Sequence, residues 1–181
     1  MEGLRVTVEL VKQGKGKKVG SDQWFTTAET EDWALSKLPG VSYYDLDPAA
    51  CHESYLADAY YTLERGEDGL VLPWWGNVWV NPPFSKIRPW VERAWYATTD
   101  ESELNRQVQT VSLLAPAVKM EQPWWQDLIE PFRDGRRQQP PYITTHFTRK
   151  RVSFAFPGSG GIPKKGASFG CVLITFERLP F

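Results

Sequence analysis

The chain has 181 residues, 41% apolar and 24% charged, with a net charge of −1, which is the make-up of an ordinary soluble globular protein with enough length for a sizeable core. The longest apolar runs, such as TVSLLAPAV (110–118), are too short to span a bilayer, and the charged, alternating N-terminus is not a secretory signal, so a cytoplasmic protein is expected. Cys51 and Cys171 form no CxxC-type spacing and His52 and His146 are the only imidazoles, which argues for free thiols and against a His-based metal centre.

In chain order, LRVTVELV (4–11) alternates like an edge strand and leads into a Gly/Lys-rich loop. ETEDWALSKL (29–38) reads as a helix, with acids in its first turn, Lys37 in its last and Pro39-Gly40 to stop it. SYYDL (42–46) is a short strand running into Asp47-Pro48, and 49–61 reads as helical with apolar Ala, Leu and Tyr on one side. NVWV (77–80) is a strand, and KIRPWVERAWY (86–96) a helix that tolerates Pro89 only in its first turn. VQTVSLLA (108–115) is hydrophobic enough for a sheet centre, and QPWWQDLI (122–129) is a short helix. YITTHF (142–147), RVSFAF (151–156) and FGCVLITF (169–176) are three late strands. Alternating strands and helices followed by clustered strands predict an α/β protein: a reduced mixed sheet with an antiparallel C-terminal extension.

Charge is unevenly spread. Residues 29–68 carry ten acids against Lys37 and Arg65, a net −8, whereas 131–165 carry eight bases against Asp134, a net +7. Any polyanion contact should therefore fall on the late basic stretch, with help from the lysines of 1–20, rather than on the middle. Plain solvated surface is the other reading of such runs.

Two predicted strands end in an acid or amide followed by proline: Asp47-Pro48 and Asn81-Pro82. Ligands bind at the carboxyl ends of strands in such sheets. The second continues as Asn81-Pro82-Pro83-Phe84, more than a strand needs in order to stop. The tetrapeptide suits methyl transfer to an exocyclic amino group of a nucleobase, whose lone pair is conjugated into the ring. An Asn side-chain oxygen and a proline-fixed backbone carbonyl can accept from both N–H groups, and an aromatic just beyond can stack on a flipped base. The gain comes from orientation and electrostatics, not from a proton-abstracting base.

The chain resembles the phage-type DNA N6-adenine methyltransferases, the Dam family of phages and prophages. The matching run begins at Trp24-Phe25-Thr26-Thr27 and Asp45-Leu46-Asp47-Pro48-Ala49-Ala50. It continues through Asp68-Gly69-Leu70, Trp74 or Trp75, Gly76, Val78 to Ser85, Ile87, Trp90-Val91 and Ala94, and is thinner afterwards, at Ser112-Leu113-Leu114, Pro116-Ala117, Arg151-Val152 and Phe154. The resemblance covers about 24–176 and is strongest over 43–95. It implies a Rossmann-like fold, S-adenosylmethionine as methyl donor, and adenine in double-stranded DNA as acceptor, in a bacterial host cell carrying a phage or prophage.

Carried over residue by residue, it gives Asn81, Pro82, Pro83 and Phe84 the target adenine, with Phe84 standing where tyrosine is commoner. Asp47, Pro48 and Ala49 match the acidic cofactor turn of related enzymes, without its usual glycines. Asp68 is placed to accept from the cofactor's adenine, and Trp24, Thr26 and Thr27 to close over the cofactor, Thr27 replacing a usual proline. One domain over 1–181 is expected: 1–22 an edge strand and basic loop, 23–130 the cofactor and catalytic core, and 131–181 the strands that contact DNA. Methyl transfer would be a direct in-line displacement.

Other readings stay open. Asp47 equally suits a helix start or turn cap, and Asp68 in Glu-Asp-Gly a turn. Trp74-Trp75 and Trp124-Trp125 read as core or rim packing. Arg149, Lys150 and Arg151 contact DNA phosphates or form a bare cationic loop. The same tetrapeptide serves enzymes acting on RNA adenine or protein glutamine, and a decayed nucleic-acid-binding scaffold is the rival of another class. Little of the 181 residues is left for a target-recognition domain, so short or relaxed specificity is expected.

Overall fold

The computed structural model describes residues 25–51, 56–100, 107–137, 141–155, 159, 162–167 and 169–178; the expected edge strand and basic loop of 1–22, Trp24 and His52 lie outside them. Val108–Pro116 is almost continuously buried, because apolar side chains on both faces of a strand need cover on both sides. It forms β5, near the centre of a six-stranded sheet. The order is β3 (Ala57–Tyr60), β2 (Tyr44–Asp47), β4 (Gly76–Val80), β5, β9 (Cys171–Glu177) and β6 (Tyr142–Phe147). The first four are parallel. β9 runs antiparallel to both β5 and β6, so β6 points the same way as β5. Five strands therefore share one carboxyl edge.

A separate antiparallel sheet joins β1 (Phe25–Thr26), β7 (Ser153–Ala155) and β8 (Lys164–Gly166). One expectation changes. The stretch read as one helix over 49–61 contains β3, which pairs Tyr44 with Ala57 and Asp47 with Tyr60. Alanine-rich and only partly buried, this edge strand carries a helix-like local pattern that non-local pairing overrides. The late strands pair antiparallel, as expected, but in two sheets: β9 lies between β5 and β6, and β7 joins β1 and β8 in the second sheet.

Alternation along β4 separates two cores. Val78 and Val80 pack with Leu113 and Ile174 under α2 (Ile87–Thr99) and α3 (Pro123–Leu128). Trp79 faces the other way, with Tyr44, Leu114, Leu173 and Phe154, beneath α1 (Ala28–Leu35). α2 is helical for a plain reason: Ile87, Trp90, Val91, Ala94 and Thr98 recur on one face and are buried, and Pro89 sits in the first turn where its missing N–H costs nothing. Trp74, Trp124 and Trp125 are core residues. Cys51 and Cys171 are not joined in a disulfide, and burial pushes the Cys171 thiol up to about 12. Among the described residues no helix is long and apolar enough to cross a membrane.

Candidate active site

From β2 the chain moves outward to β3 and then returns across β2 to β4. The strand order reverses between β2 and β4, and at such a switch point the loops leaving the two strands part and open a crevice. β2 ends in Asp47-Pro48 and β4 in Asn81-Pro82, so the two dipeptides flank the same opening.

The opening is a cleft of about 600 Å³ whose lining includes Thr26, Asp47, Pro48, Ala49, Asp68, Asn81 and Pro83. Seven residues singled out from the sequence are thus brought together. Asp47 is buried, and its Oδ1 accepts the Ala49 N–H at 3.0 Å. The carboxylate shapes the turn after β2, and the turn forms part of the cleft wall. Asp68 behaves likewise: its Oδ1 accepts from Leu70 N at 3.0 Å, and it borders the cleft.

The Asp68 loop is seated by Gly69. A Cβ on Gly69 would lie 1.9 Å from the Pro48 carbonyl oxygen, so only glycine lets the loop approach the Asp47-Pro48 turn this closely. Trp74 pins the loop from below, its Nε1 donating to the Gly69 carbonyl at 2.7 Å. The Trp74 ring stacks near Trp90 and carries the Arg93 guanidinium 4.8 Å from its centroid.

After Asn81 the two prolines differ. The Pro83 carbonyl accepts from Lys86 N at 2.9 Å, which leaves the Pro82 carbonyl as the candidate second acceptor beside Asn81. Phe84 is half-buried. Its ring meets Phe154 edge-on at 6.1 Å and 80°, and Phe169 at 6.0 Å, which fixes the ring plane.

Thr26 and Thr27 part company. Thr26 lines the cleft and accepts from Trp79 Nε1 at 3.2 Å. Thr27 is turned to Thr30 Oγ1 at 3.1 Å and the Ser153 carbonyl at 3.4 Å, tying α1 to β7, and is not among the cleft-lining residues. Arg149, Lys150 and Arg151 lie outside the cleft, in the loop after β6 on the same carboxyl edge.

The cleft wall is acidic: Asp47, Glu64, Glu67 and Asp68 face Lys86. Glu67 accepts from Arg65 Nε at 2.8 Å, and this bond holds its carboxyl below the usual range against some opposing burial. Tyr61, whose hydroxyl donates to the Pro73 carbonyl at 2.8 Å, lines the same wall. Sequence reasoning missed Tyr61, Glu64 and Glu67. They follow β3, and reading that stretch as a helix hid the strand end that delivers them. Such a wall favours a cationic ligand rich in hydroxyl and amino donors, and repels phosphate.

A family model described as DNA N-6-adenine-methyltransferase (Dam) matches residues 13–179. The DNA N-6-adenine-methyltransferase of Escherichia phage T1 is 32% identical over 100 residues, 53% of this chain. That match spans 36% of the phage protein's length. A crystal structure from Pyrococcus horikoshii, provisionally described as an RNA methyltransferase, is 16% identical, with a TM-score of 0.36 over 67% of this chain and 50% of its own.

Proposed function

The chain belongs to the DNA N-6-adenine-methyltransferase (Dam) family, and from that premise we propose that it methylates N6 of adenine in double-stranded DNA, with S-adenosylmethionine as methyl donor. The observation that carries the reading is the shared cleft: Asp47 ends β2, Asn81 follows the end of its parallel neighbour β4 at the switch point, and both line one opening.

S-adenosylmethionine, when bound, supplies an electrophilic methyl group on a sulfonium. The residues present fit it. The acidic wall complements a positive sulfonium and ammonium, and its carboxylates can accept from ribose hydroxyls and from the adenine amino group. Asp47, Pro48, Ala49 and Asp68 are the residues proposed to hold it, with Thr26 at the rim; Trp24 and Thr27 keep only the support of the resemblance.

The acceptor adenine would enter beside Asn81. Its amino group donates one hydrogen to the Asn81 side-chain oxygen and one to the Pro82 carbonyl, which draws electron density onto nitrogen and aims its lone pair. Pro83 keeps the Pro82 carbonyl from swinging, because its ring restricts the residue before it. Phe84 offers a ring face to the flipped base. Arg149, Lys150 and Arg151 would take the phosphates, and a phage setting suggests protection of DNA from restriction.

The test is nucleoside mass spectrometry of unmethylated DNA incubated with the protein and S-adenosylmethionine, beside Asn81→Ala. N6-methyladenine from wild type and none from the variant is expected. Labelled methyl appearing in RNA or protein fractions instead of DNA would overturn the choice of acceptor.

A further inference from the structure

A second groove, of about 700 Å³, runs between α1 and the loop that follows β6. Glu29 and Trp33, four residues apart on α1, present one ridge, and Lys37 lies just past its end. On the opposite side, β6 turns alternate side chains to opposite faces. His146 pairs with Leu173, which belongs to the core beneath α1, and so faces the groove. Phe147 is directed to the other face, where its ring lies 6.4 Å from Trp125. Arg149, Lys150 and Arg151, all exposed, close one end. Glu29 is the one carboxylate among the described lining residues.

The groove inverts the chemistry of the cleft. It joins an aromatic wall to a cationic end, the combination that grips a single nucleic-acid strand: bases stack without regard to sequence, and phosphates meet positive charge. It also lies on the same edge of the sheet. β6 stands three strand spacings from β4, about 14 Å, which is about four phosphate steps along one DNA strand. A strand whose adenine sits beside Asn81 is repelled by the acidic wall near Asp68 and drawn towards Arg149.

We propose that this groove holds a nucleotide of the target strand a few positions from the methylated adenine, unpaired from its partner where the duplex is opened around the flipped base, with its base against Trp33 and His146 and its phosphate on Arg149 and Arg151. The proposal rests on the reading that DNA is the acceptor. It assigns sequence-tolerant strand capture to a site separate from the catalytic cleft.

The experiment is equilibrium binding of a fluorescein-labelled DNA duplex to the full chain at several salt concentrations, with S-adenosylmethionine affinity measured in parallel. Trp33→Ala should weaken DNA binding about tenfold, from lost stacking, with the salt slope unchanged. Trp33→Phe should restore most of that loss. The double variant Arg149→Ala/Arg151→Ala should reduce the slope of log K against log salt by about 2. Cofactor affinity should stay at the wild-type value in all three. If Trp33→Ala melts early, His146→Ala interrogates the same wall and should weaken binding several-fold. Wild-type binding and slope in these variants, while the protein still methylates DNA, would overturn the groove and leave the proposed reaction standing. No DNA binding by wild type would overturn both. Groove-dependent DNA binding with no methylated product would overturn the reaction alone.

Discussion

Gly69 lies against the Pro48 carbonyl with no room for a side chain: an added Cβ would sit 1.9 Å from that oxygen. Two loops that leave different strands are locked together there, and they bring Asp68 to the Asp47 turn. Gly69→Ala must displace one loop from the other. The expected result is at least tenfold weaker S-adenosylmethionine binding by calorimetric titration, with about 1–3 kcal/mol lost in stability from the forced shift. Unchanged affinity would show that the contact does not shape the cofactor site.

Asp47→Asn separates charge from turn geometry. The amide oxygen can still accept the Ala49 N–H, so the melting temperature should change little. If the carboxylate complements a cationic, donor-rich ligand, cofactor binding should fall tenfold or more. Full affinity in a stable Asp47→Asn protein would reduce this residue to a turn cap.

Phe84 is held by Phe154 and Phe169, so its ring plane is set by packing; if it stacks on the target base as proposed, its substitutions separate packing from stacking. Phe84→Tyr keeps both contacts and the ring face and should retain near-wild-type turnover. Phe84→Ala removes about 1–3 kcal/mol of stacking and should raise the apparent KM for DNA by ten- to a hundredfold. Steady-state kinetics on a duplex substrate decide it, with cofactor KM as the internal control.

Glu31, on α1, gives a pH signature. Burial, reinforced by the negative charge of Asp32, raises its carboxyl from an ordinary 4.5 to about 7. The folded state therefore favours the neutral acid. Below about pH 4.5 the carboxyl is neutral folded or unfolded and costs nothing. As pH rises from there through about 7, the unfolded chain releases the proton first and stability declines. Glu31→Gln should match wild type at pH 4 and be about 1 kcal/mol more stable at pH 8, after allowance for solvent screening. Denaturant melts at the two pH values measure the difference, and an equal effect at both would contradict an origin in the Glu31 proton.

Much of this protein was readable from local pattern. The presence and place of β4, β5, β6 and α2 follow from side-chain period and proline position, because alternation and 3.6-residue spacing are local properties. Asn81-Pro82-Pro83-Phe84 was legible as a candidate site for the same reason: the acceptors and ring proposed for it are consecutive. The resemblance over 43–95 led to the family that the match over 13–179 establishes. What needed the tertiary structure is which strands become neighbours. Ala57–Tyr60 is a strand only because β2 offers it a ladder, and reading it as a helix hid Tyr61, Glu64 and Glu67. β9 lies between β5 and β6 because its doubly buried run demands cover on both faces, a fact about the whole sheet. The cleft itself exists because Asp47 and Asn81, 34 positions apart in sequence, end strands on either side of a reversal in strand order. Thr27, adjacent to a cleft residue in sequence, turns away to Ser153 because its oxygen finds a partner 126 residues distant. Local spacing encodes the parts; the pairing of distant strands decides which parts share a site.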